Sequence, residues 1–436
     1  MNMEAISSVL SDYIPDQNEE WMLGEITRSV IASIRDYCSS HSIFASPVLV
    51  GSVAKGTNLK GADIDIFIVF ERTYREQEME KLGLEIGRAV LPKGEEKYAE
   101  HPYISGVING IKLDIVPCFR IDPQTKVISS VDRTPLHTDY VINNLSETGK
   151  NEVRLLKLLL KHFGIYGSEI RTAGFSGYVC ELLVIRFGTF LGVLEYFSNV
   201  RGSVRIIDNR SFEFDQRFPV VVQDPTDHSR NAAAAVSMES LARLVIASKL
   251  FLKTRDTGLL RPMPPLEPQS LRPSGNKFRI VEMPRPDLVD DIIFSQAMRL
   301  RKEVRKSLES GGFLPVNDEL AVGEKIEVLV EFQKDSTNGI VKHQGPPVWA
   351  ENALDFLEKW SESERRYRGP YVQEDRLYVD LKDVVISADE AIRSHIARAN
   401  IGKHLNHLKD KIVITDPLKT GRRHLVVSKY LQQKIG

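Results

Sequence analysis

Three aspartates are spaced for metal-assisted phosphoryl chemistry. Asp63 and Asp65 lie in the run Asp63 to Phe70, where period-two alternation puts them with Phe67 on one strand face. Ile64, Ile66, Ile68 and Phe70 line the other face. Adjacent carboxylates repel each other and resist burial. A divalent cation such as Mg2+, which takes hard oxygen ligands and bridges carboxylates to phosphates, is the usual compensation. A third acid, Asp114, sits between Leu113 and Ile115 in the second strand of an expected hairpin, whose turn is Asn109-Gly110. Three acids from two strand segments suit a two-metal phosphoryl-transfer site. Upstream, the apolar run Pro47 to Val50 ends in Gly51-Ser52, expected as a strand feeding a tight turn. Glycine there lets backbone N–H groups approach a phosphate, and the Ser52 hydroxyl adds a donor. A polar loop with Lys55, Gly56, Lys60 and Gly61 follows. An Asp-x-Asp pair alone equally describes the wet face of an edge strand; the preceding Gly-Ser turn and the later acid separate the two readings.

The elements around these residues alternate strand and helix up to about residue 145. Asp16 to Glu20 signals a helix start, and Trp21, Leu23, Ile26, Val30, Ile31 and Ile34 form a stripe at helical spacing. Arg75 to Val90 reads as an amphipathic helix. Residues 146 to about 253 read mainly as helices. Glu152 to Phe163 stops at Gly164, Phe175 to Leu191 is apolar nearly all round, and Ser237 is a good N-cap for a helix through Phe251. Pro219 to Gln223 is a short strand. Pro262, Pro264, Pro265, Pro268 and Pro273 then mark a semi-stiff connector. Beyond it, a strand Lys277 to Glu282, a helix Pro286 to Ser310 and a strand Ile326 to Phe332 suggest a ferredoxin-like or RRM-like module. Leu354 to Tyr367 is expected as helix and Arg376 to Leu381 as strand.

With 436 residues, 42% hydrophobic and 27% charged, the chain has room for two to four ordinary globular domains. Cys38, Cys118 and Cys180 are too scattered for a zinc knuckle or a disulfide framework, which suits the cytoplasm. No run reaches membrane-spanning length, and the acidic N-terminus lacks a signal-peptide core, so no membrane partner is expected. The net charge of −1 argues against uniform attraction to nucleic acid. From Ala391 onward, however, Arg393, Arg398, Lys403, Lys409, Lys411, Lys419, Arg422, Arg423, Lys429 and Lys434 face only Asp410 and Asp416, an electrostatic footprint for gripping phosphates.

The Gly-Ser turn followed by Asp-x-Asp and a later acid resembles the nucleotidyltransferase signature of the DNA polymerase beta superfamily. More specifically, six blocks in register resemble archaeal, class I CCA-adding enzymes, tRNA nucleotidyltransferases. They are GSVAKGTNLKGADIDIF, YAEHPYISGVINGIKLDIVPC, SSVDRTPLHTDYV, NEVRLLKLLLKHFGIYGSEI, GFSGYVCELLV and VQDPTDHSRNAAAAVS. The resemblance covers nearly the whole chain. It implies an α+β fold with a palm-like mixed sheet, in three parts. These are a catalytic head (1–145), a mainly helical neck (146–258) and a C-terminal α/β tRNA-binding body and tail with a ferredoxin-like module (275–436).

The implied activity builds or repairs the 3′-terminal CCA of tRNA from CTP and ATP without a nucleic-acid template, releasing pyrophosphate. The partners implied are tRNA lacking all or part of its CCA, CTP and ATP; the oligomeric state is left open, a homodimer included. Asp63, Asp65 and Asp114 would be the catalytic, Mg2+-binding acids, one metal on all three and a second on Asp63 and Asp65. Ser52 and Lys55 would hold the triphosphate. Thr134, His137, Lys157 and Tyr166 would lie against phosphate and ribose, and Arg230 would read the incoming base. Val53, Lys55 and Asp63 depart from the family's frequent Tyr, Arg and Glu; lysine for arginine loses bidentate phosphate geometry. Other readings of the same residues are a poly(A) or oligoadenylate polymerase of the superfamily and a catalytically inactive RNA-binding relative.

Overall fold

The computed structural model describes residues 3–98, 101–121, 131–208, 211–263, 267–271, 275–334, 339–382 and 386–431. Pro264, Pro265 and Pro273 of the connector and Lys434 of the basic tail lie outside them. The chain divides into two compact units, Met1–Met263 and Pro264–Lys434. No single described helix is long and apolar enough to cross a membrane.

The first unit opens with helices α1 (Met3–Tyr13) and α2 (Gln17–Ser40). The Asp16 side chain caps α2 by accepting from the Glu19 N–H. Leu23, Ile26, Val30 and Ile34 are buried along one stripe. Trp21, expected in that stripe, is 62% exposed. Two residues before Leu23 it is turned roughly 200° about the helix axis, which places it on the wet side.

The strands β1 (Ala45–Val50), β2 (Ile64–Phe70), β3 (Glu95–Tyr98), β4 (Pro102–Ile108) and β5 (Ile111–Phe119) form a sheet in the order β1-β2-β5-β4-β3. Its β2–β5 pair is parallel and the others antiparallel. Helices α3 (Gly51–Lys55) and α4 (Glu76–Val90) interrupt the strands. The alternation of β2 is realised: Ile64, Ile66, Ile68 and Phe70 are wholly buried against Val30 and Ile34 of α2 and Met79 and Ile86 of α4. The opposite face also closes beyond Asp65, where Phe67 and Val69 pack with Val50 and Cys118. Asn109 and Gly110 both adopt positive φ (51° and 82°), the two-residue hairpin turn their types favour. The tight turn expected at Gly51-Ser52 is instead the start of the one-turn helix α3, which leaves β1 directly and ends at Gly56 in the left-handed region.

Next come α5 (Thr134–Asn144), α6 (Glu147–His162), α7 (Gly177–Phe187) and α8 (Phe190–Ser198), then short strands β6 (Val204–Ile206), β7 (Val220–Asp224) and β8 (Asp227–Asn231), then α9 (Met238–Thr254). Ser146, Ser176, Thr189 and Ser237 each cap a helix N-terminus through the side chain. The continuous helix expected over Phe175 to Leu191 is broken: Gly188 takes φ 80°, Thr189 starts a new helix, and the two axes meet at 90°. Arg230 and Asn231 lie within β8.

In the second unit, β9 (Lys277–Pro284), α10 (Asp290–Ser310), β10 (Pro315–Val322) and β11 (Lys325–Phe332) are followed by β12 (Ile340–Pro347), α11 (Ala353–Ser361), β13 (Arg366–Gln373) and β14 (Arg376–Lys382). Helix α12 (Ala388–Arg398), β15 (Val413–Thr415), α13 (Pro417–Thr420) and α14 (Leu425–Leu431) end the described chain. The sheet order β10-β11-β9-β15, antiparallel throughout, is the ferredoxin-like arrangement. The strand following α10 is β10, not Ile326–Phe332; the latter (β11) inserts between β9 and β10. Helix α11 is also shorter than expected, because Arg366 onward pairs with β14. Several tail cations are held internally: Lys429 Nζ lies 3.0 Å from Glu319 Oε1, and Lys409 donates to the Ala399 carbonyl. Lys403, Lys411, Lys419, Arg422 and Arg423 are exposed.

Candidate active site

The parallel pairing of β2 with β5 sets Asp65 directly beside Asp114. Asp63 lies one residue before β2. Three carboxylates in one place need compensation, and the electrostatics register the deficit. Burial, then the charges of Asp114 and Asp63, push the Asp65 pKa up to about 6. Asp114 Oδ1 is buried without a hydrogen-bond partner among the described residues. An orphaned carboxylate oxygen beside a carboxyl that resists ionisation fits a divalent cation with oxygen ligands.

Lys112, which sequence reasoning passed over, stands among these acids. Its Nζ donates to Asp63 Oδ2 and to Asp114 Oδ2, 2.9 Å each. Burial opposes its charge, but its hydrogen bonds to both aspartates outweigh that and raise its pKa. The period-two spacing from Asp114 was the available signal, since residues i and i+2 share a strand face. Gly51, at φ 75°, lies hard against the Asp65 carboxylate: a Cβ there would overlap Oδ2.

Along α3, the Ser52 hydroxyl is half-buried and makes no hydrogen bond among the described residues, while its carbonyl accepts from Thr57 N–H. Lys55 Nζ is buried, 2.8 Å from Glu181 Oε2 on α7. The Thr57 hydroxyl donates to Glu181 Oε1 at 2.6 Å. Lys157 on α6 is only 2% exposed; its Nζ donates to the Thr57 carbonyl at 2.9 Å and lies 3.9 Å from Glu181. Burial lowers the Lys157 pKa against the pull of Glu181. Lys157 is sealed inside, while Lys161, one turn on, is exposed. Tyr166 is partly buried beneath Lys161, whose Nζ lies 5.3 Å from the ring centroid, and burial raises its pKa. Its hydroxyl faces Gly177, the first residue of α7, where a Cβ would come within 3.2 Å.

A second network is centred on Asp224 at the end of β7, which is wholly buried. His137 Nε2–H of α5 donates to Asp224 Oδ2 at 2.9 Å, and Arg230 donates to the same oxygen at 2.8 Å. The Tyr178 hydroxyl and the Thr226 N–H and hydroxyl donate to Oδ1. Burial alone would raise the Asp224 pKa; the hydrogen bonds from His137 and Thr226 hold it below the usual carboxylate range. Burial lowers the His137 pKa by more than Asp224 raises it, so a neutral imidazole donates to an ionised carboxylate. The ring of Tyr178 stacks on His137 at 4.1 Å and lies 5.3 Å from Lys55 Nζ, which joins the two networks. Thr134 is the first residue of α5, partly buried, and its carbonyl accepts from Thr138.

Lys55, Lys157, His137 and Arg230 thus converge through Glu181, Tyr178 and Asp224, of which sequence reasoning did not single out Glu181 and Tyr178. A glutamate inside the apolar run Phe175 to Leu191 was a signal for the first of them. Elsewhere, Glu76 and Glu80 of α4 gather with His101 in ligand-like proximity, an arrangement accounted for by the 2.9 Å His101–Glu80 hydrogen bond.

Three family profiles match in succession: a nucleotidyltransferase domain over residues 31–137, the second domain of tRNA nucleotidyltransferase over 151–260, and the C-terminal domain of CCA-adding enzyme over 274–415. The chain is 45% identical to the CCA-adding enzyme of Picrophilus torridus, covering 93% of this chain and 94% of that one. It is 46% identical to that of Thermoplasma acidophilum, covering 93% of each. Identity to the CCA-adding enzyme of Methanocaldococcus jannaschii is 33% over 94% of this chain and 95% of that one. With three matching profiles and relatives aligned along nearly their whole length, the chain belongs to the CCA-adding enzyme family of tRNA nucleotidyltransferases.

Proposed function

We propose that this protein completes or repairs the 3′-terminal CCA of tRNA, using CTP twice and then ATP in one active site. The carrying observation is the register that sets Asp65 beside Asp114, with Gly51 packed against them. Asp63, Asp65 and Asp114 hold Mg2+. When bound, Mg2+ supplies charge that neutralises the triphosphate and acidifies the tRNA 3′-hydroxyl. That hydroxyl attacks the α-phosphate in line and pyrophosphate leaves.

The protein's own groups bind and orient. The unengaged Ser52 hydroxyl is available to a phosphate oxygen. Lys55 and Lys157, fixed by Glu181, lend positive potential to the triphosphate side of α3. Thr134 and Tyr166 supply hydroxyl donors toward phosphate and ribose, and neutral His137, whose single N–H is taken by Asp224, offers Nδ1 as an acceptor to a ribose hydroxyl. Arg230 is 32% exposed beyond its bond to Asp224, which supports a role in reading the incoming base. Its donors suit cytosine O2 or N3 and adenine N1 but meet donors on uracil and guanine. We further propose three working parts, 1–145 for catalysis, 146–258 for nucleotide contacts and 275–436 for tRNA, acting in the cytoplasm; the three free, buried cysteines support a reducing compartment.

The test is incubation of the purified protein with Mg2+ and tRNA lacking CCA, adding labelled CTP and ATP singly and together. The expected product is two C residues and then one A. An extended A tract, or no incorporation, overturns the reading.

A further inference from the structure

We infer that Lys112 is a built-in counter-ion that occupies the cation position among the catalytic acids and yields it when a divalent metal enters. This inference rests on the proposal that Asp63, Asp65 and Asp114 bind the metal.

The geometry is that of a stand-in ion. A single ammonium bridges Asp63 Oδ2 and Asp114 Oδ2 at 2.9 Å to each. Asp63 lies just ahead of β2 and Asp114 within β5, so the bridge ties together the two segments whose acids would share a metal. One positive charge against three acids is insufficient: Asp114 Oδ1 stays unpartnered, and Asp65 receives no hydrogen bond from Lys112. Lysine can do this where arginine would not, because its ammonium is a compact point charge on a flexible stem.

Lys112 also has somewhere to go. Its side chain is 39% exposed. It lines an open cavity of about 590 Å³ beside the edge of β4, bounded by Leu91, Lys93, Lys97, Ser105 and Val107. An ammonium displaced by a metal can therefore rehydrate without moving the backbone. Two consequences follow: the acids stay assembled in the metal-free protein, and every entering metal must first displace a bound cation. Lys112 is in this sense a positioning residue that lowers metal affinity while preserving the site.

The test is direct titration of the full-length protein with Mn2+, following free and bound ion by electron paramagnetic resonance in the absence of nucleotide and tRNA. Wild type is compared with Lys112→Met, Lys112→Arg and Asp114→Asn. Lys112→Met is expected to bind Mn2+ roughly three- to tenfold more tightly, the scale of two partly exposed ion pairs, and Lys112→Arg to remain near wild type. In parallel, Lys112→Met should melt earlier than wild type in chelator and show the larger rise in Tm on adding Mn2+; a merely structural role would shift both conditions equally. If Asp114→Asn loses Mn2+ while Lys112→Met binds it as wild type does or more weakly, the counter-ion role is overturned and the metal site stands. If Asp114→Asn binds Mn2+ like wild type, the metal assignment fails, and the inference with it.

Discussion

Gly51 and Asp65 are packed so closely that the glycine has no room for a side chain: a Cβ would overlap the Asp65 Oδ2, and φ at Gly51 is 75°. The end of one strand is thereby locked to the acid on the next. Gly51→Ala should lower stability by about 1–3 kcal/mol from backbone strain and should reduce nucleotide addition far more than that loss of folding explains, because Asp65 must turn away. Denaturant unfolding beside single-nucleotide addition separates the two effects. Full activity in a folded Gly51→Ala protein would show that Asp65 need not stay where it is.

If Asp65 and Asp114 hold metal and not RNA, replacing either by Ala should abolish both C and A incorporation while leaving tRNA binding within about twofold of wild type. Filter binding and primer extension check this. Selective loss of one nucleotide would count against a single site for both.

Asp65 also predicts a pH dependence. Its folded pKa of about 6 lies above the unfolded value of 3.8, so the native state binds the extra proton between them. In chelator, stability should therefore fall as pH rises from about 4 to about 6, by roughly 3 kcal/mol at the limit. Divalent metal should restore it at pH 7 and lose its hold below about pH 6, where protons compete for the carboxylate. Thermal melts of wild type and Asp65→Asn across pH, with and without Mg2+, test this; an unchanged slope in Asp65→Asn would contradict it.

Glu181 compensates Lys55 directly and supports Lys157, all three buried. Removing the acid strands buried positive charge, so Glu181→Ala should cost about 3–5 kcal/mol. Glu181→Gln keeps the shape and should fold better but raise the KM for both nucleotides, as Lys55 loses its fixed position. Urea unfolding and steady-state kinetics distinguish this from a purely local packing role, for which KM would not move.

Arg230 shares Asp224 with His137, Tyr178 and Thr226. Because these donors remain, Arg230→Ala should cost about 1.5–3 kcal/mol of stability, the worth of one hydrogen bond to a charged group. If Arg230 reads the base edge, relative use of UTP and GTP should rise roughly tenfold, the worth of about one unpaired buried donor. Single-turnover addition to tRNAs ending before each CCA position measures this. Unchanged nucleotide ratios with reduced stability would assign Arg230 to holding Asp224 alone.

Residues near one another in the chain announced much of this protein. Alternation from Asp63 to Phe70, the Asn109-Gly110 turn and the serine cap at Ser237 are local consequences of strand period, turn dihedrals and orphan helix N–H groups. They place Asp63 and Asp65 on one side of a strand, but Asp114 reaches them only through the parallel pairing of β2 with β5. What the tertiary structure decided were partners distant in sequence. Lys55 meets Glu181 across 126 residues, and His137 meets Asp224 across 87. Spacing tells which face a lysine occupies but not whether that face meets water: Lys157 is sealed, while Lys161, four residues on, is exposed. The bend at Gly188 and the insertion of β11 between β9 and β10 likewise follow from which surfaces pack. Periodicity records burial along one element; charge pairing and strand order depend on what other elements bring to it, and only the assembled fold supplies that.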